Sequence, residues 1–130
     1  MTSFSAARCD VCPHVAVRCV ARFGYLYLND GRWAGRQLIS RAWIDMARTP
    51  GHANPQYGFM NWFLNTPTRR ADGSDSTPLP SAPRSSVTFR GNGQNIIYVD
   101  WDNDLVVVVR WVSGSLDAFF SRVLLAISPA

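Results

Sequence analysis

No lysine occurs in this 130-residue chain, and all thirteen of its basic residues are arginines. Any motif that requires a lysine is therefore excluded from these residues. The arginines are scattered from Arg8 to Arg122, with only Arg69 and Arg70 adjacent. A nucleic-acid surface concentrates basic residues in a patch or stripe, so the net charge of +4 is read as a solubility feature and no nucleic-acid partner is expected. No apolar run approaches the ~18 residues that a membrane span needs, so no membrane partner is expected either. Arg8 and Arg18 break up the apolar residues between Met1 and Phe23, leaving no uninterrupted core of the secretory-signal kind. A cytoplasmic location is the expectation for the chain as written. No internal repeat is visible. The length fits one compact domain with a modest core.

Cysteine is sparse and confined to the start, at Cys9, Cys12 and Cys19, with His14 among them. Cys9-x-x-Cys12 is a good zinc half-site. His14, however, follows Cys12 by two positions with Pro13 between, too little chain to fold the imidazole back onto the same ion. These residues are read as reduced thiols of an irregular N-terminus, and no metal or other cofactor is expected.

Residues 1 to 14 show no sustained period. From Val15 the apolar residues fall three or four apart, with Val17, Val20, Gly24 and Leu28 joined by Phe23 and Tyr27, which predicts a helix with a wide apolar face. Asn29-Asp30-Gly31 ends it, Gly31 suiting the left-handed position after a helix C-terminus. A loop from Arg32 to Ile39 leads to Ser40, which caps a second short helix running to about Arg48. Tyr57 to Leu64 is apolar on both alternating faces and reads as one strand covered on both sides. Residues 65 to 86, rich in Thr, Pro, Ser and Asp, read as a long loop without regular structure. Three strands follow, about Ser86 to Arg90, Asn95 to Trp101 and Leu105 to Val112, and connections this short make them antiparallel neighbours. The unbroken run Leu105 to Val109 predicts a central strand covered on both faces. Finally Leu116, Phe119, Phe120, Val123, Leu124 and Ile127 fit the i, i+3, i+4, i+7, i+8, i+11 template of a helix lying on the sheet, capped by Ser115.

The familiar catalytic arrangements are not assembled. A Ser-His-Asp triad needs a histidine to take the serine proton, but His14 lies in the irregular N-terminus and His52 in a Pro-Gly loop, where a solvated histidine is the simpler reading. Val112-Ser113-Gly114-Ser115-Leu116 lacks the Gly-x-Ser-x-Gly of a nucleophile elbow, and Ser115 is explained as a cap. Asp100, Asp102 and Asp104 alternate around a hairpin, which reads as turn chemistry before calcium chemistry, because Asp and Asn side chains bond their own backbone. Gly91-x-Gly93 is followed by a strand, not by the helix and third glycine of a dinucleotide fingerprint.

The order of segments nevertheless resembles a known family. Ala21-Arg22-Phe23-Gly24-Tyr25-Leu26-Tyr27-Leu28-Asn29-Asp30-Gly31-Arg32-Trp33, then Gly35 to Ser40 and Trp43, is similar to the helix, loop and helix of β-lactamase-like serine hydrolases, the group of class C β-lactamases, DD-peptidases and related esterases. Asn54-Pro55-Gln56-Tyr57-Gly58, Gly91-Asn92-Gly93-Gln94-Asn95-Ile96-Ile97-Tyr98-Val99-Asp100 and Asp104 to Trp111 resemble the closing strands. The likeness covers residues 20 to 127.

The resemblance implies an α+β fold, with an antiparallel sheet of about four strands packed by N-terminal helices and a C-terminal helix, part of the β-lactamase/transpeptidase-like fold. Residues 1–19 are expected to be irregular and outside the family pattern, and residues 20–130 to be the C-terminal part of the domain. Family chemistry is acyl transfer by the serine of Ser-x-x-Lys, assisted by a Tyr-x-Asn motif and by a third motif, Lys-Thr-Gly or His-x-Gly, on a strand beside the cleft. Without lysine, Ser-x-x-Lys is absent from this chain, and no catalytic residue is assigned. Tyr27-Leu28-Asn29 spells Tyr-x-Asn but falls at a helix end and reads as structural. The third motif falls on Phe89-Arg90-Gly91, where Gly91 fits and Phe89 departs from Lys or His. The resemblance then implies an oxyanion donor at the Asn92 amide and a substrate-carboxylate contact from Arg90 if that side chain faces the cleft. Expected partners are a small-molecule ester or amide substrate in the intact family, whose members include exported proteins, and a partner chain supplying the missing subdomain. The alternative is a non-catalytic binding module presenting the 65–86 loop and the aromatic strand.

Overall fold

The computed structural model describes residues 17–128. Among these residues the fold is α+β, with three α-helices and a five-stranded antiparallel sheet in the order Tyr57–Gly58, Asn61–Trp62, Val87–Gly91, Asn95–Asp100, Leu105–Val109. Among the described residues no helix is long and apolar enough to cross a membrane.

Helix α1 spans Val17–Leu28. Val17 to Cys19 are thus helical, which corrects the expectation of an irregular stretch reaching residue 19. The stop is as read: Asp30 and Gly31 both take positive φ, and Gly31 donates to Leu26 O at 2.8 Å. A side chain at Gly31 would also meet the Ile39 carbonyl. Arg32–Trp33 (β1) and Arg36–Gln37 (β2) then pair around Ala34-Gly35, φ 47° and 79°. This small hairpin stands where a plain loop was predicted, because two successive left-handed residues match the twist of paired strands. Ser40 Oγ accepts from Trp43 N at 3.2 Å and starts α2, Arg41–Ala47.

The aromatic segment is not one strand. Tyr57–Gly58 (β3) and Asn61–Trp62 (β4) fold back on each other through Phe59 and Met60, φ 47° and 70°. Such angles are costly for large side chains. Surrounding contacts hold the turn: Phe59 meets Trp43 of α2 edge to face, Tyr57 packs at a tilt against its cross-strand partner Trp62, and the buried Asn61 donates to Ala47 O at 2.8 Å.

Residues 65 to 86 also depart from the expected irregular loop. Thr68–Arg69 (β5) pairs with Asp75–Ser76 (β6), and beyond them Leu79 and Ala82 are buried in the core. Asp72 braces the intervening turn, accepting from Ser74 N and Oγ, and these bonds hold its carboxyl below the usual range. Apolar anchors every few residues outweigh the Pro- and Ser-rich composition. The segment is tied to the last helix where Asp117 accepts from Ser81 N at 3.0 Å and Ser81 Oγ at 3.1 Å. Asp117→Ala is expected to cost about 1 kcal/mol and to speed limited proteolysis within 65–86, read by mass spectrometry of the first fragments.

Val87–Gly91 (β7), Asn95–Asp100 (β8) and Leu105–Val109 (β9) form the antiparallel meander as predicted. β9 ends three residues early, because Trp111 takes a φ of 55° that leaves the strand region. Among the described residues it is also an edge strand, not a central one. Its unbroken valines reflect cover on both faces: Val106 lies against α1, while Val107 packs with the cluster around Tyr98 and Phe120 under the last helix. That helix, α3, spans Leu116–Ile127, and Ser115 Oγ caps it by accepting from Ala118 N at 3.2 Å.

The sheet thus separates two cores. One gathers Tyr27, Ile44, Ala47, Phe63, Val87 and Val99 beneath α1 and α2. The other gathers Leu64, Leu79, Ala82, Ile96, Tyr98, Val109 and Phe120 beneath α3.

Candidate functional site

β7, the strand that carries Phe89-Arg90-Gly91, ends beside an open cleft of about 480 Å³ on the α1 side of the sheet. Its floor is Phe89 to Gly91 of β7, Asn95 to Ile97 of β8 and Val108 to Arg110 of β9, with Val20 of α1 and Met60 of the β3–β4 turn at the rims. Three short strand ends therefore bring together residues as far apart as Phe89 and Arg110.

Strand register decides which side chains face this space. Phe89 pairs with Ile97, and Ile97 with Val108, on the face covered by α1. Phe89 is held there by rings on two sides, with centroids 5.0 Å from Phe23 and 4.8 Å from Tyr27. The position where the family pattern has Lys or His is thus committed to apolar packing. Arg90 pairs with Ile96, which pairs with Val109, and these belong to the core under α3. Arg90 is among the lining residues, and since cross-strand partners share a face, its side-chain position by register belongs to the opposite face. The expected carboxylate contact from Arg90 does not fit this register.

Gly91 closes the strand in extended geometry, φ −120°. Asn92 begins a single turn of 3-10 helix, Asn92–Gln94, and lies outside the cleft lining. Its Oδ1 accepts from Gly93 N at 2.8 Å and its carbonyl accepts from Asn95 Nδ2 at 2.5 Å, so the turn is braced. At Gly93, φ 70°, the Trp111 ring lies so close that a Cβ would sit 1.9 Å from it. Only glycine fits that approach.

Arg110 also lines the cleft, and its Nε donates to Asn95 Oδ1 at 3.2 Å. Neither residue was singled out from the sequence. The signal was the period-2 order Val106, Val108, Arg110, together with the short return from Gly91 to Asn95, which becomes readable only once the register is known.

The remaining candidates are dispersed. Tyr27 is buried in the core under α1, and Asn29 Nδ2 donates to Tyr25 O at 2.8 Å, so this Tyr-x-Asn is structural. His52 is exposed in the loop after α2. Asp100 is fully buried and accepts from Tyr98 Oη at 2.7 Å, Asp102 N at 3.0 Å, Asn103 N at 3.2 Å and Asn103 Nδ2 at 2.8 Å. It organises the β8–β9 turn. Burial, and secondly the bond to Asp100, push the Tyr98 phenol well above its ordinary pKa of 10.0. The residues Cys9, Cys12 and His14 lie outside the described residues. Cys19 is disulfide-bonded, so the reduced-thiol reading fails at that position, its sulfur being already engaged.

Neither a protein-family model nor a curated protein matches the chain.

Proposed function

We propose that residues 20–130 are the C-terminal part of a β-lactamase-like serine hydrolase domain, keeping one wall of an acyl-transfer cleft and hydrolysing nothing by themselves. The observation that carries this reading is the meeting of motif and geometry at Phe89-Arg90-Gly91, where a strand ending in the family's third-motif glycine borders an open cleft. Supporting it is the segment order, with helix, hairpin and capped helix before an aromatic hairpin, a closing meander and a terminal helix. The nucleophile must come from residues other than these, which hold no lysine and so no Ser-x-x-Lys. A small ester, amide or β-lactam is the substrate class, and the segment or partner chain bearing the serine completes the opposite wall.

The test combines two samples. The purified chain is expected to show no turnover of nitrophenyl esters or a chromogenic β-lactam and no labelling by a fluorophosphonate probe. Co-expression with a Ser-x-x-Lys-bearing N-terminal segment of this group should restore labelling at that segment's serine. A serine-dependent acyl adduct on the chain alone, or no labelling of the combined sample, overturns the reading.

A second reading, a non-catalytic binding module, draws on the exposed apolar side chains around the β3–β4 turn. Met60 is 79% exposed, and Phe59, Trp43 and Met46 are each above 40%. Such clustering marks protein contact surfaces.

A further inference from the structure

The outer edge of β9 is the least protected part of the sheet. Among the described residues no strand pairs with it, and β9 is five residues of Leu and Val, without the Lys, Pro or bulge that usually blunts an open edge. The residues bounding it have opposite charges: Asp104 immediately before and Arg110 immediately after. The segment Asp104-Leu-Val-Val-Val-Val-Arg110 is therefore electrostatically self-complementary about Val107. Laid antiparallel against a second copy with Val107 opposite Val107, each Asp104 comes opposite the other copy's Arg110, and Val106 opposite Val108. This register serves either hydrogen-bonding phase of the strand, because residues of like parity meet across the axis.

The helix layer fits the same arrangement. Gly24 of α1 lies against both Ile97 of β8 and Val106 of β9, so α1 runs over the gap between those strands. With strands about 4.8 Å apart, a two-fold axis outside β9 sets the two α1 helices about 10 Å apart, at the upper end of the 8–10 Å range of packed helices. Phe23 leans toward β7, where its ring meets Phe89. The opposite flank of α1 carries Ala21 and Tyr25 at i and i+4; Tyr25 is 50% exposed, with the edge of its ring set against Trp33 of β1. Ala21 is the small residue that lets a second helix come close on this flank.

We propose that a second copy of this chain adds to the β9 edge, joining two five-stranded sheets through an isologous antiparallel β9 pair with the α1 helices side by side. The interface rests on the open edge, the end charges and the flank of α1, and is independent of the hydrolase reading. One self-complementary patch meeting itself gives a closed dimer and not a filament.

The experiment uses the full chain. Sedimentation velocity across a hundredfold concentration range should show a monomer–dimer equilibrium. Hydrogen exchange by mass spectrometry should show protection of 105–109 rising with concentration while 57–62, on the far edge, stays constant. Asp104→Arg and Arg110→Asp should each weaken the dimer at least tenfold, and an equimolar mixture of the two variants should recover it, since the mixed pair restores both opposite-charge contacts. Circular dichroism melting of each variant establishes that it is folded. A monomer at all concentrations, protection that changes at 57–62 instead, a β9 protected independently of concentration, or a mixture no tighter than its components would each overturn the proposal.

Discussion

Asp100→Ala is expected to lose about 3 kcal/mol of folding stability, roughly 10–15 °C in melting temperature for a domain of this size. The carboxylate is fully buried, and four donors converge on it. Removing it takes the carboxylate acceptor from the Tyr98 hydroxyl, itself completely buried and left with Ser86 as its side-chain partner, and it releases the amides that shape the β8–β9 turn. The exposed Asp102 and Asn103 amides can recover water, so most of the loss comes from Tyr98 and from turn entropy. Asp100→Asn keeps one carbonyl acceptor and is expected to cost about half as much. Urea denaturation of the three proteins reads the difference.

The same pair carries a pH signature of definite sign. Because the phenol of Tyr98 is raised above its ordinary value of 10.0 by burial, the folded state holds the neutral form more tightly than the unfolded chain does. That stabilisation is complete below about pH 10 and is lost as the pH rises beyond it, where the unfolded state gives up its proton first. Tyr98→Phe should flatten the alkaline limb between pH 9 and 11, while costing about 1 kcal/mol at neutral pH. An unchanged alkaline slope in Tyr98→Phe would assign that limb to other tyrosines.

Gly24→Val should have the next largest effect, a loss of about 3 kcal/mol. A Cβ at this position would lie 2.6 Å from Val106 Cγ1 and 2.8 Å from Ile97 Cγ2, so even alanine forces α1 away from the sheet or displaces both side chains. Alanine, however, recovers about 1 kcal/mol of helix propensity, and Gly24→Ala is expected to lose only about 1 kcal/mol net. Combining Gly24→Ala with Val106→Ala removes the nearest clashing atom. The double variant should be more stable than the sum of the two single changes, a coupling that thermal denaturation of all four proteins measures. Strict additivity would mean that α1 does not approach β9 this closely.

The parts of the fold that were legible are those governed by neighbours in sequence. α1, its stop at Asp30-Gly31, the caps Ser40 and Ser115, and the β7–β8–β9 meander follow from periodicity and turn chemistry over a dozen residues or fewer. What was not legible depends on distant partners. Phe59 and Met60 accept left-handed angles because α2 supplies Trp43 and the Ala47 carbonyl, residues that no local pattern associates with Tyr57 to Leu64. Leu79 and Ala82 look isolated in a Pro- and Ser-rich stretch, yet they are buried beside Leu64 and Phe120. An unbroken valine run reports cover on two faces, which β9 has, but says nothing about its neighbours along the sheet, of which β9 has one among the described residues. At the site, the sequence pointed to Phe89, Arg90, Gly91 and Asn92. The cleft keeps the first three as its wall, whereas side-chain direction, which removes Arg90 and brings in Arg110, is a matter of register.

The contact between Gly24 and Val106 joins positions more than eighty residues apart. The meander closes through loops of only a few residues and can form soon after its last strand is made, whereas α1 is synthesised first and meets its covering surface last. Until β8 and β9 emerge, Val20, Phe23 and Tyr27 have no sheet to lie on. During synthesis, the most aromatic face of the helix therefore waits longest for its partner.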